Sequence, residues 1–307
     1  MNRTRMAVIG VGHLGRHHAR ILAAMPEVDL VAVVDTRLER AAEIASRHAT
    51  TALTDALALV GRVDAVTIAT PTVSHVEVAL PFVEAGVAAL VEKPLSANLA
   101  EADRLVGAAA ARGTVLATGH TERFNPAVAA AVTFVSSPRF IEIHRLGSFP
   151  ERSLDIDVIF DLMIHDLDVL LAVVGSEVAS VEAVGVNVLT PRVDIANARL
   201  RFASGCIANL TASRISRDRV RKARFFQHDS YVSIDYAAQE IEVYRLGATN
   251  GGRPTIQGGR VDIVSDEPLR RELADFVEAV RMRREPTVTG RDGRAALALA
   301  TRVAELM

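Results

Sequence analysis

The sequence predicts two α/β domains, a doubly wound parallel sheet at the N-terminus and then an α+β domain with a large, mostly antiparallel open sheet. Residues 6–118 alternate short β-rich runs with helical stretches, which is typical of parallel strands joined by crossover helices. After about residue 120, β-like runs follow one another with few helices between them, which favours antiparallel pairing. The 307 residues agree with this organisation, since one domain takes roughly 100–200 residues.

The first domain, residues 1–121, is predicted to contain five strands and four helices. Val31–Val34 and Val66–Ala69 are apolar on both faces, as buried parallel strands are. The helical stretches carry apolar residues at helical spacing. The predicted strands are Met6–Gly10, Leu30–Asp35, Ala65–Thr70, Ala88–Glu92 and Thr114–Thr118, and the predicted helices are Leu14–Ala24, Leu38–His48, His75–Ala85 and Ala100–Arg112.

The second domain, residues 122–307, is predicted to consist mainly of strands. One helix, about Asp157–Val174, precedes most of them, and Leu269–Arg284 and Asp292–Met307 are closing helices. The predicted strands are Phe140–Arg145, Val178–Val188, Ala196–Phe202, Ile207–Ser213, Arg224–Phe226, Tyr231–Asp235 and Ile241–Tyr244. Ligand sites occur preferentially at domain interfaces, so we expect the active site between the two domains.

Charge and composition exclude several classes of protein. With 50% hydrophobic and 23% charged residues the chain is globular, and its net charge of -2 gives no global field to attract nucleic acid or an anionic membrane. No apolar run approaches the roughly 18 residues of a membrane span, and the N-terminus does not fit a secretory signal. The single cysteine, Cys206, excludes an intrachain disulfide and fits a reducing compartment. We therefore expect a cytoplasmic protein.

A glycine-rich motif lies between the first predicted strand and helix. Gly10, Gly12 and Gly15 form a complete G-x-G-x-x-G pattern, and residues 10–15 are called the glycine loop below. The first glycine allows a tight turn, the second lets the backbone approach a pyrophosphate, and the third allows close helix–strand packing. The motif predicts a Rossmann domain, with His13 and Leu14 beside the cofactor.

An acidic residue follows the second predicted strand. Asp35 lies 20 residues after Gly15, where a carboxylate accepts hydrogen bonds from ribose hydroxyls and repels a 2′-phosphate. This position favours NAD over NADP. Arg37 has the opposite tendency, because a nearby arginine can hold the phosphate.

Lysine is rare in this chain. Only two of the 35 basic residues are lysines, so arginine is the usual cation. Lys93 ends a strand of the parallel sheet at the carboxyl edge, where such sheets bind ligands. Unlike arginine, lysine can give up its proton. Lys93 is therefore a candidate functional residue rather than a surface lysine, whereas Lys222, among arginines, is interpreted as a solvated strand residue.

Three polar residues share one face of the helix predicted at Asp157–Val174. Asp161, His165 and Asp168 are spaced by four and three residues. Histidine titrates near neutrality and can act as a general base. Taken alone, these residues favour a satisfied core histidine with solvated aspartates.

Several ordered motifs together resemble the Gfo/Idh/MocA oxidoreductase family. They are Ala69-Thr70-Pro71-Thr72, His75, Glu92-Lys93-Pro94, Gly119–Pro126, Asp161-x-x-x-His165-x-x-Asp168 and Gly290–Gly293. The resemblance covers nearly the whole chain and implies an NAD(P)-binding Rossmann domain followed by an α/β domain on an open sheet. Two departures are Thr72, where the family often has asparagine, and the absence of glycines before the Asp161 helix.

The resemblance assigns roles to individual residues. It implies that Lys93 lies beside the nicotinamide and the reacting hydroxyl, where it could orient the substrate oxygen or relay its proton. It also implies that Asp161 and His165 are catalytic, with His165 as general base and Asp161 holding its ring or binding a substrate hydroxyl. It also implies cofactor contacts at Thr70, Pro71 and Glu92, while His75 either contacts the cofactor or supports it. Hydride transfer to NAD needs no metal, so none is expected.

Arginines near the expected pocket suggest an anionic substrate. We expect substrate contacts from Arg123, Asn125, Arg145 and Arg152, besides Asp161 and His165. A further cluster comprises Arg214, Arg217, Arg219, Arg221 and Arg224. Guanidinium groups suit diphosphates and carboxylates, although an arginine-rich protein also places them on every surface.

Residues 11–20, 120–126 and 161–168 resemble one branch of the family, the UDP-N-acetylglucosamine 3-dehydrogenases. The resemblance implies an NAD-dependent oxidoreductase that moves a hydride between a sugar carbon and nicotinamide, with a UDP-amino sugar as substrate. The alternatives are a dehydrogenase of a free polyol such as an inositol, and an NAD(P)-binding regulator without catalysis. Family members commonly associate through the second sheet, which implies a homodimer or homotetramer.

Overall fold

The computed structural model describes residues 3–149, 156–248 and 255–307, and its contacts divide the chain into two compact units. The first unit comprises the chain up to His120 together with Leu269–Leu297, and the second comprises Thr121–Pro268 with Ala298–Met307. This division differs from the single predicted boundary after residue 121, because most of the two closing helices groups with the first unit.

The first unit contains a six-stranded parallel sheet with strand order β3-β2-β1-β4-β5-β6. Its strands are β1 (Thr4–Ile9), β2 (Val28–Val34), β3 (Thr51–Leu53), β4 (Ala65–Ile68), β5 (Ala88–Glu92) and β6 (Leu116–Gly119), and its first four helices are α1 (Gly15–Ala24), α2 (Leu38–His48), α3 (His75–Glu84) and α4 (Leu99–Arg112). This order is that of a doubly wound dinucleotide-binding sheet, with its switch point between β1 and β4. The predicted fold class is confirmed.

Burial explains the central strands of this sheet. Every residue of β4 and β5 is buried, as expected for strands covered on both faces. Helix α4 is capped at its N-terminus by Asn98, whose side chain accepts a hydrogen bond from Glu101 N at 3.0 Å, and at its C-terminus by Gly113, which has a φ of 65°. The three-residue strand β3 was not predicted, because so short a run carries no readable periodicity.

The two closing helices are α7 (Pro268–Met282) and α8 (Gly290–Ala304). The apolar side of α7, with Leu273 and Phe276, belongs to the hydrophobic cluster that also contains Met6 of β1. The start of α8 approaches β6 so closely that a Cβ on Gly293 would lie 2.2 Å from Oγ1 of Thr118. These contacts explain why Leu269–Leu297 groups with the parallel sheet.

The second unit contains an eight-stranded sheet with strand order β14-β13-β12-β11-β7-β10-β9-β8. Its strands are β7 (Phe140–Leu146), β8 (Val178–Val186), β9 (Ile195–Phe202), β10 (Ile207–Ser213), β11 (Val220–Phe226), β12 (Ser230–Asp235), β13 (Glu240–Leu246) and β14 (Ile256–Val261). All neighbours are antiparallel except β7 and β10, so the predicted mostly antiparallel sheet is confirmed. Strand β14 was not predicted, since its two glycines interrupt any alternation.

The described part of the second unit also contains a 3₁₀ turn (Thr121–Phe124), helix α5 (Pro126–Ala131), the π-helical turn Ile159–Met163 and helix α6 (Ile164–Val174). The sequence predicted the last two as one continuous helix. No helix in the part of the chain that the structure describes is long and apolar enough to cross a membrane.

A buried ion pair fastens the segment that leads into the π-helical turn. Nε of Arg214 donates to Oδ1 of Asp194 at 2.8 Å, and both side chains are almost completely buried. Nη1 of Arg214 also donates to the carbonyl oxygen of Ile156 at 2.6 Å, and Val193 N donates to Oδ1 of Asp157 at 2.9 Å. The pair therefore anchors residues 156–157, just before the turn that carries Asp161.

The Asp194 carboxylate should make stability depend on pH. Burial alone would raise the pKa of Asp194, but the hydrogen bonds it accepts from Leu189, Thr190 and Arg214 outweigh burial and hold the pKa well below its ordinary value. Such a group stabilises the fold above its unfolded pKa of about 3.9, and this contribution is lost as pH falls. Asp194→Asn leaves the buried Arg214 guanidinium without its counter-charge, so the variant should be less stable at pH 7 by about 3–5 kcal/mol.

We expect the free energy of unfolding of the wild type to fall more steeply below about pH 5 than that of Asp194→Asn. Urea unfolding at a series of pH values measures this difference. Asp262→Asn, at an exposed position, is the control and should follow the wild type. Parallel curves for the wild type and Asp194→Asn would show that Asp194 contributes no such pH dependence.

Candidate functional site

The glycine loop joins β1 to α1 with an open space over its second glycine. Gly10 has a φ of 81°, and a Cβ there would lie 2.7 Å from the carbonyl oxygen of Ala69. A Cβ on Gly15 would lie 1.8 Å from the carbonyl oxygen of Gly10, so both positions require glycine. A Cβ on Gly12 would meet little: among the described residues, leaving aside its two neighbours along the chain, Nη1 of Arg40 at 3.9 Å is the one heavy atom within 4 Å. The loop therefore has the close packing and the open cradle that fit a dinucleotide pyrophosphate.

The two other loop residues named from the sequence differ in exposure. His13 is exposed, whereas Leu14 is half-buried and packs at the edge of the hydrophobic cluster of the first unit. Leu14 is the N-cap residue of α1, so the helix N-terminus that would face a phosphate begins here.

Asp35 lies directly beside the glycine loop. Its carboxylate is buried and accepts hydrogen bonds from Val11 N at 3.2 Å and from Arg37 N at 3.0 Å. The side chain of Arg37 is exposed, whereas Nη1 of Arg40 lies 3.4 Å from Oδ2 of Asp35. The spacing of Asp35 thus predicted its position at the loop, but sequence reasoning did not identify Arg40.

The segment after β4 is tied to the turn after β5 by His75. Nδ1 of His75 lies 2.9 Å from the carbonyl oxygen of Pro94, and Nε2 lies 2.9 Å from that of Thr70. Burial lowers the pKa of His75 even though both hydrogen bonds oppose this shift. The neutral ring donates to one carbonyl at a time, so His75 serves as a structural link. Thr70 is half-buried and Pro71 is exposed.

Lys93 follows β5 immediately and is half-buried, with a cis peptide bond to Pro94. Beneath it, Oε1 of the buried Glu92 lies 3.0 Å from Nε2 of His18 on α1, and Oε2 accepts a hydrogen bond from Lys93 N at 3.3 Å. A Cβ on Gly119 would lie 2.7 Å from the same carboxylate. Glu92 is therefore held by protein groups and supports the turn that carries Lys93.

In the second unit, Asp161 and His165 lie on either side of the junction between the π-helical turn and α6. Asp161 is in the turn, His165 is in the first turn of α6, and both are half-buried. Single π-helical turns occur frequently at functional sites. The third predicted member, Asp168, is buried, and its Oδ1 lies 3.5 Å from Nη1 of Arg123.

Arg145 is buried beneath the start of α6. Its Nε and Nη2 donate to the two carboxylate oxygens of Asp166 at 2.7 and 2.8 Å, and Nη1 donates to Oε1 of Glu122 at 2.9 Å. The ring of Tyr236 lies 5.2 Å from the guanidinium carbon. Burial alone would lower the pKa of Arg145, but the two carboxylates outweigh burial and raise its pKa well above the ordinary value.

These contacts revise the expected substrate residues. The fork of Arg145 is occupied by Asp166, the neighbour of His165, so Arg145 positions the helix. Asn125 is also buried, because it caps α5 through Ala127 N and donates to the carbonyl oxygen of Tyr236 at 3.0 Å. Arg152 lies outside the described residues.

The arginine cluster divides among three environments. Arg214 is buried in its ion pair, and Arg224 pairs with Glu142 at 2.8 Å on the opposite, open face of the sheet. Arg221 is exposed, aligned with Arg145 across β11 and β7, and thus on the same face as Arg145. Lys222 lies 3.4 Å from Asp235, in agreement with its interpretation as a strand residue. Sequence spacing alone could not separate these environments.

The sheet order, the glycine loop and the acidic residue after β2 define a dinucleotide-dependent enzyme domain. The family model described as "Oxidoreductase family, NAD-binding Rossmann fold" matches residues 4–120, and the model of the GFO/IDH/MocA C-terminal domain matches residues 135–231. The chain therefore belongs to the Gfo/Idh/MocA family of NAD-binding oxidoreductases.

The similarity to individual proteins extends over almost the whole chain. The chain is 43% identical over 305 residues to a UDP-N-acetylglucosamine 3-dehydrogenase of Acidithiobacillus ferrooxidans, covering 99% of this chain and 97% of the relative. A solved structure of that enzyme has a TM-score of 0.94 at 42% identity and covers 100% of this chain and 98% of its own. A myo-inositol 2-dehydrogenase of Thermotoga maritima is 29% identical, with 96% and 93% of the chains covered.

Proposed function

We propose that the protein is an NAD-dependent dehydrogenase that oxidises the 3-hydroxyl of a UDP-amino sugar of the UDP-N-acetylglucosamine type. The observation that carries this proposal is the 43% identity with such an enzyme over 99% of the chain. Lys93, Asp161 and His165 are all present, and the open cradle over Gly12 supports dinucleotide binding.

The proposed chemistry separates a hydride from a proton. Bound nicotinamide would supply the acceptor for the hydride that leaves the carbinol carbon. Lys93 donates a hydrogen bond to the reacting oxygen and stabilises the negative charge that develops there. His165 takes the hydroxyl proton as general base, and Asp161 holds the imidazole or a neighbouring sugar hydroxyl. The products are the 3-keto sugar, reduced nicotinamide and one proton.

Neighbouring groups would keep these residues in place. The Glu92 carboxylate, between His18 and Lys93 N, supports the turn of Lys93. The bidentate Arg145–Asp166 pair supports the first turn of α6, which carries His165. Such supporting contacts hold catalytic side chains in productive orientations, which is where much of the rate enhancement originates.

Arg145 contacts Asp166, the neighbour of His165, so a substrate at His165 would lie on the face of the sheet that carries Arg145. Guanidinium groups that bind its diphosphate are therefore expected on this face. Arg221 is exposed on that face, and Arg219, two residues earlier, is exposed beside Ser148. Arg123 is partly exposed and pairs with Asp168. We assign the diphosphate contacts to Arg123, Arg219 and Arg221, and Arg152 remains a proposed contact.

A substrate panel tests this function. The protein is incubated with NAD and, separately, UDP-N-acetylglucosamine, UDP-glucose, N-acetylglucosamine 1-phosphate and myo-inositol, with hydroxylamine to trap the ketone. Reduced-nicotinamide absorbance should rise with the UDP-amino sugar. A rise with myo-inositol alone would favour the polyol dehydrogenase. NAD binding by calorimetry without turnover on any compound would favour a regulator.

We also propose that two copies associate through the open face of the second sheet, and that the protein is cytoplasmic. Phe140, Phe226, Tyr231 and Tyr244 form a row on that face, with neighbouring ring centroids 5.1–6.2 Å apart. A row of partly exposed aromatic side chains on one face is a candidate interaction surface, and one patch meeting its own copy gives a two-fold dimer. The single, buried cysteine supports a reducing compartment.

Light scattering should give a dimer or tetramer for the wild type and a smaller species for Tyr231→Asp, which places a charge in the centre of the row. A monomeric wild type would contradict the proposed association.

A further inference from the structure

Arg40 occupies a position beside the glycine loop that the cofactor chemistry described above does not use. It lies on α2, with Nη1 3.4 Å from Oδ2 of Asp35 and 3.9 Å from the Cβ position of Gly12. About a third of its side chain is exposed. The guanidinium therefore lies between the acidic residue that selects the ribose and the glycine beside which the pyrophosphate passes.

Asp35 holds this guanidinium in an ion pair. The same Oδ2 atom also accepts the hydrogen bond from Val11 N at 3.2 Å, so the carboxylate connects the loop to Arg40. By contrast, Arg37 offers its backbone N–H to Asp35 and extends its side chain into solvent. Of the two arginines, Arg40 is the one whose guanidinium contacts the Asp35 carboxylate.

We propose that Arg40, rather than Arg37, is the second residue, after Asp35, that determines the preference for NAD over NADP. Its guanidinium can bind the 2′-phosphate of NADP, but in the wild type it is paired with the Asp35 carboxylate. In the wild type, the Asp35 carboxylate repels a 2′-phosphate, and it also forms an ion pair with the Arg40 guanidinium that would otherwise bind this phosphate. Removing the charge of Asp35 releases a guanidinium that can donate charge-assisted hydrogen bonds to the phosphate. NADP acceptance after loss of Asp35 therefore depends on Arg40.

Binding constants for NAD and NADP test the proposal without any sugar substrate. They are measured by calorimetry on the full chain for the wild type, Asp35→Asn, Arg40→Ala and the double variant. Asp35→Asn keeps an acceptor for Val11 N but loses the charge. Its ratio of the NADP to the NAD dissociation constant should fall by about 10- to 100-fold, as expected for one charged hydrogen-bonded contact. When Asp35→Asn is combined with Arg40→Ala, this ratio should return most of the way to its wild-type value.

Two further double variants serve as matched controls. Arg37→Ala and Arg47→Ala each remove one positive charge near α2, and Arg47 is exposed and paired with Glu43. Combined with Asp35→Asn, both should keep the gain in NADP binding. If Arg37→Ala abolishes the gain and Arg40→Ala does not, the assignment to Arg40 is wrong.

If Arg40 contacts the adenine instead of a 2′-phosphate, the binding constants will show it. A guanidinium that stacks on the adenine would bind both dinucleotides, so Arg40→Ala would weaken NAD and NADP by the same factor and leave their ratio unchanged in either Asp35 background. That result would overturn the proposal. Because every measurement is of cofactor binding, a failed sugar assay does not affect the outcome, and failure here leaves the proposed substrate untouched.

Discussion

Lys93→Met is expected to lower turnover by about a hundredfold to a thousandfold while leaving the NAD dissociation constant within about threefold of the wild type. Positioned acid–base groups contribute typically 10²–10⁴-fold, and loss of one oxyanion-stabilising donor costs about 10²–10³-fold. Methionine keeps an unbranched stem at the carboxyl edge of β5 but removes the ammonium group. The Glu92–His18 contact beneath the turn does not involve the lysine side chain, so NAD binding by the first unit should be retained.

The other lysine of the chain provides the matched control. Lys222 lies on the open face of the second sheet beside Asp235, and Lys222→Met should keep turnover within about twofold of the wild type. Initial rates with NAD and UDP-N-acetylglucosamine, together with calorimetric NAD binding, separate catalysis from cofactor affinity. Turnover of Lys93→Met within tenfold of the wild type would remove Lys93 from the proposed mechanism.

Arg145→Met is expected to reduce the free energy of unfolding by about 3–5 kcal/mol. The guanidinium is buried and satisfies both oxygens of Asp166 and one oxygen of Glu122. Truncation leaves the buried Asp166 carboxylate and the half-buried Glu122 carboxylate without this counter-charge, which costs far more than the loss of an exposed pair. The same change should lower turnover in the folded fraction, because Asp166 adjoins His165.

Urea unfolding of Arg145→Met and of Arg260→Met measures the difference. Arg260 forms an exposed ion pair with Glu240 at the edge of the same sheet, so its loss should cost less than about 1 kcal/mol. Equal effects of the two substitutions would show that the Arg145 network does not stabilise the fold beyond a surface pair.

Local pattern predicted most of the fold, and long-range packing accounts for the rest. Most strands of four or more residues could be predicted from apolar runs or from alternation of apolar and polar residues. Strand β3 is too short for this, and in β14 two glycines interrupt the alternation. Periodicity also predicted α7 as a helix. It carries no information about which sheet the apolar side of α7 covers, so the grouping of Leu269–Leu297 with the first unit came only from contacts.

The same distinction applies to the site. The glycine loop, Asp35 and Lys93 could be located because each lies at the end of a strand, where position along the chain dictates position in space. The environment of Arg145 could not be predicted, because its partners Glu122 and Asp166 lie more than 20 residues away along the chain. His18 was missed for the same reason, since helix packing brings it to Glu92. Arg40 is close to Asp35 along the chain, but the sequence does not show which of the neighbouring arginines turns its guanidinium toward that carboxylate.

Hydride transfer from carbon 3 of the sugar is the central claim, and an isotope experiment tests it directly. The protein is incubated with NAD and UDP-N-acetylglucosamine deuterated at carbon 3, and the reduced cofactor is analysed by mass spectrometry. One deuterium per reduced nicotinamide is expected, whereas substrate deuterated at carbon 4 should give unlabelled cofactor. Unlabelled reduced cofactor from the carbon-3 substrate would contradict the proposed reaction. Deuterium transferred from the carbon-4 substrate would show that the enzyme oxidises carbon 4 instead.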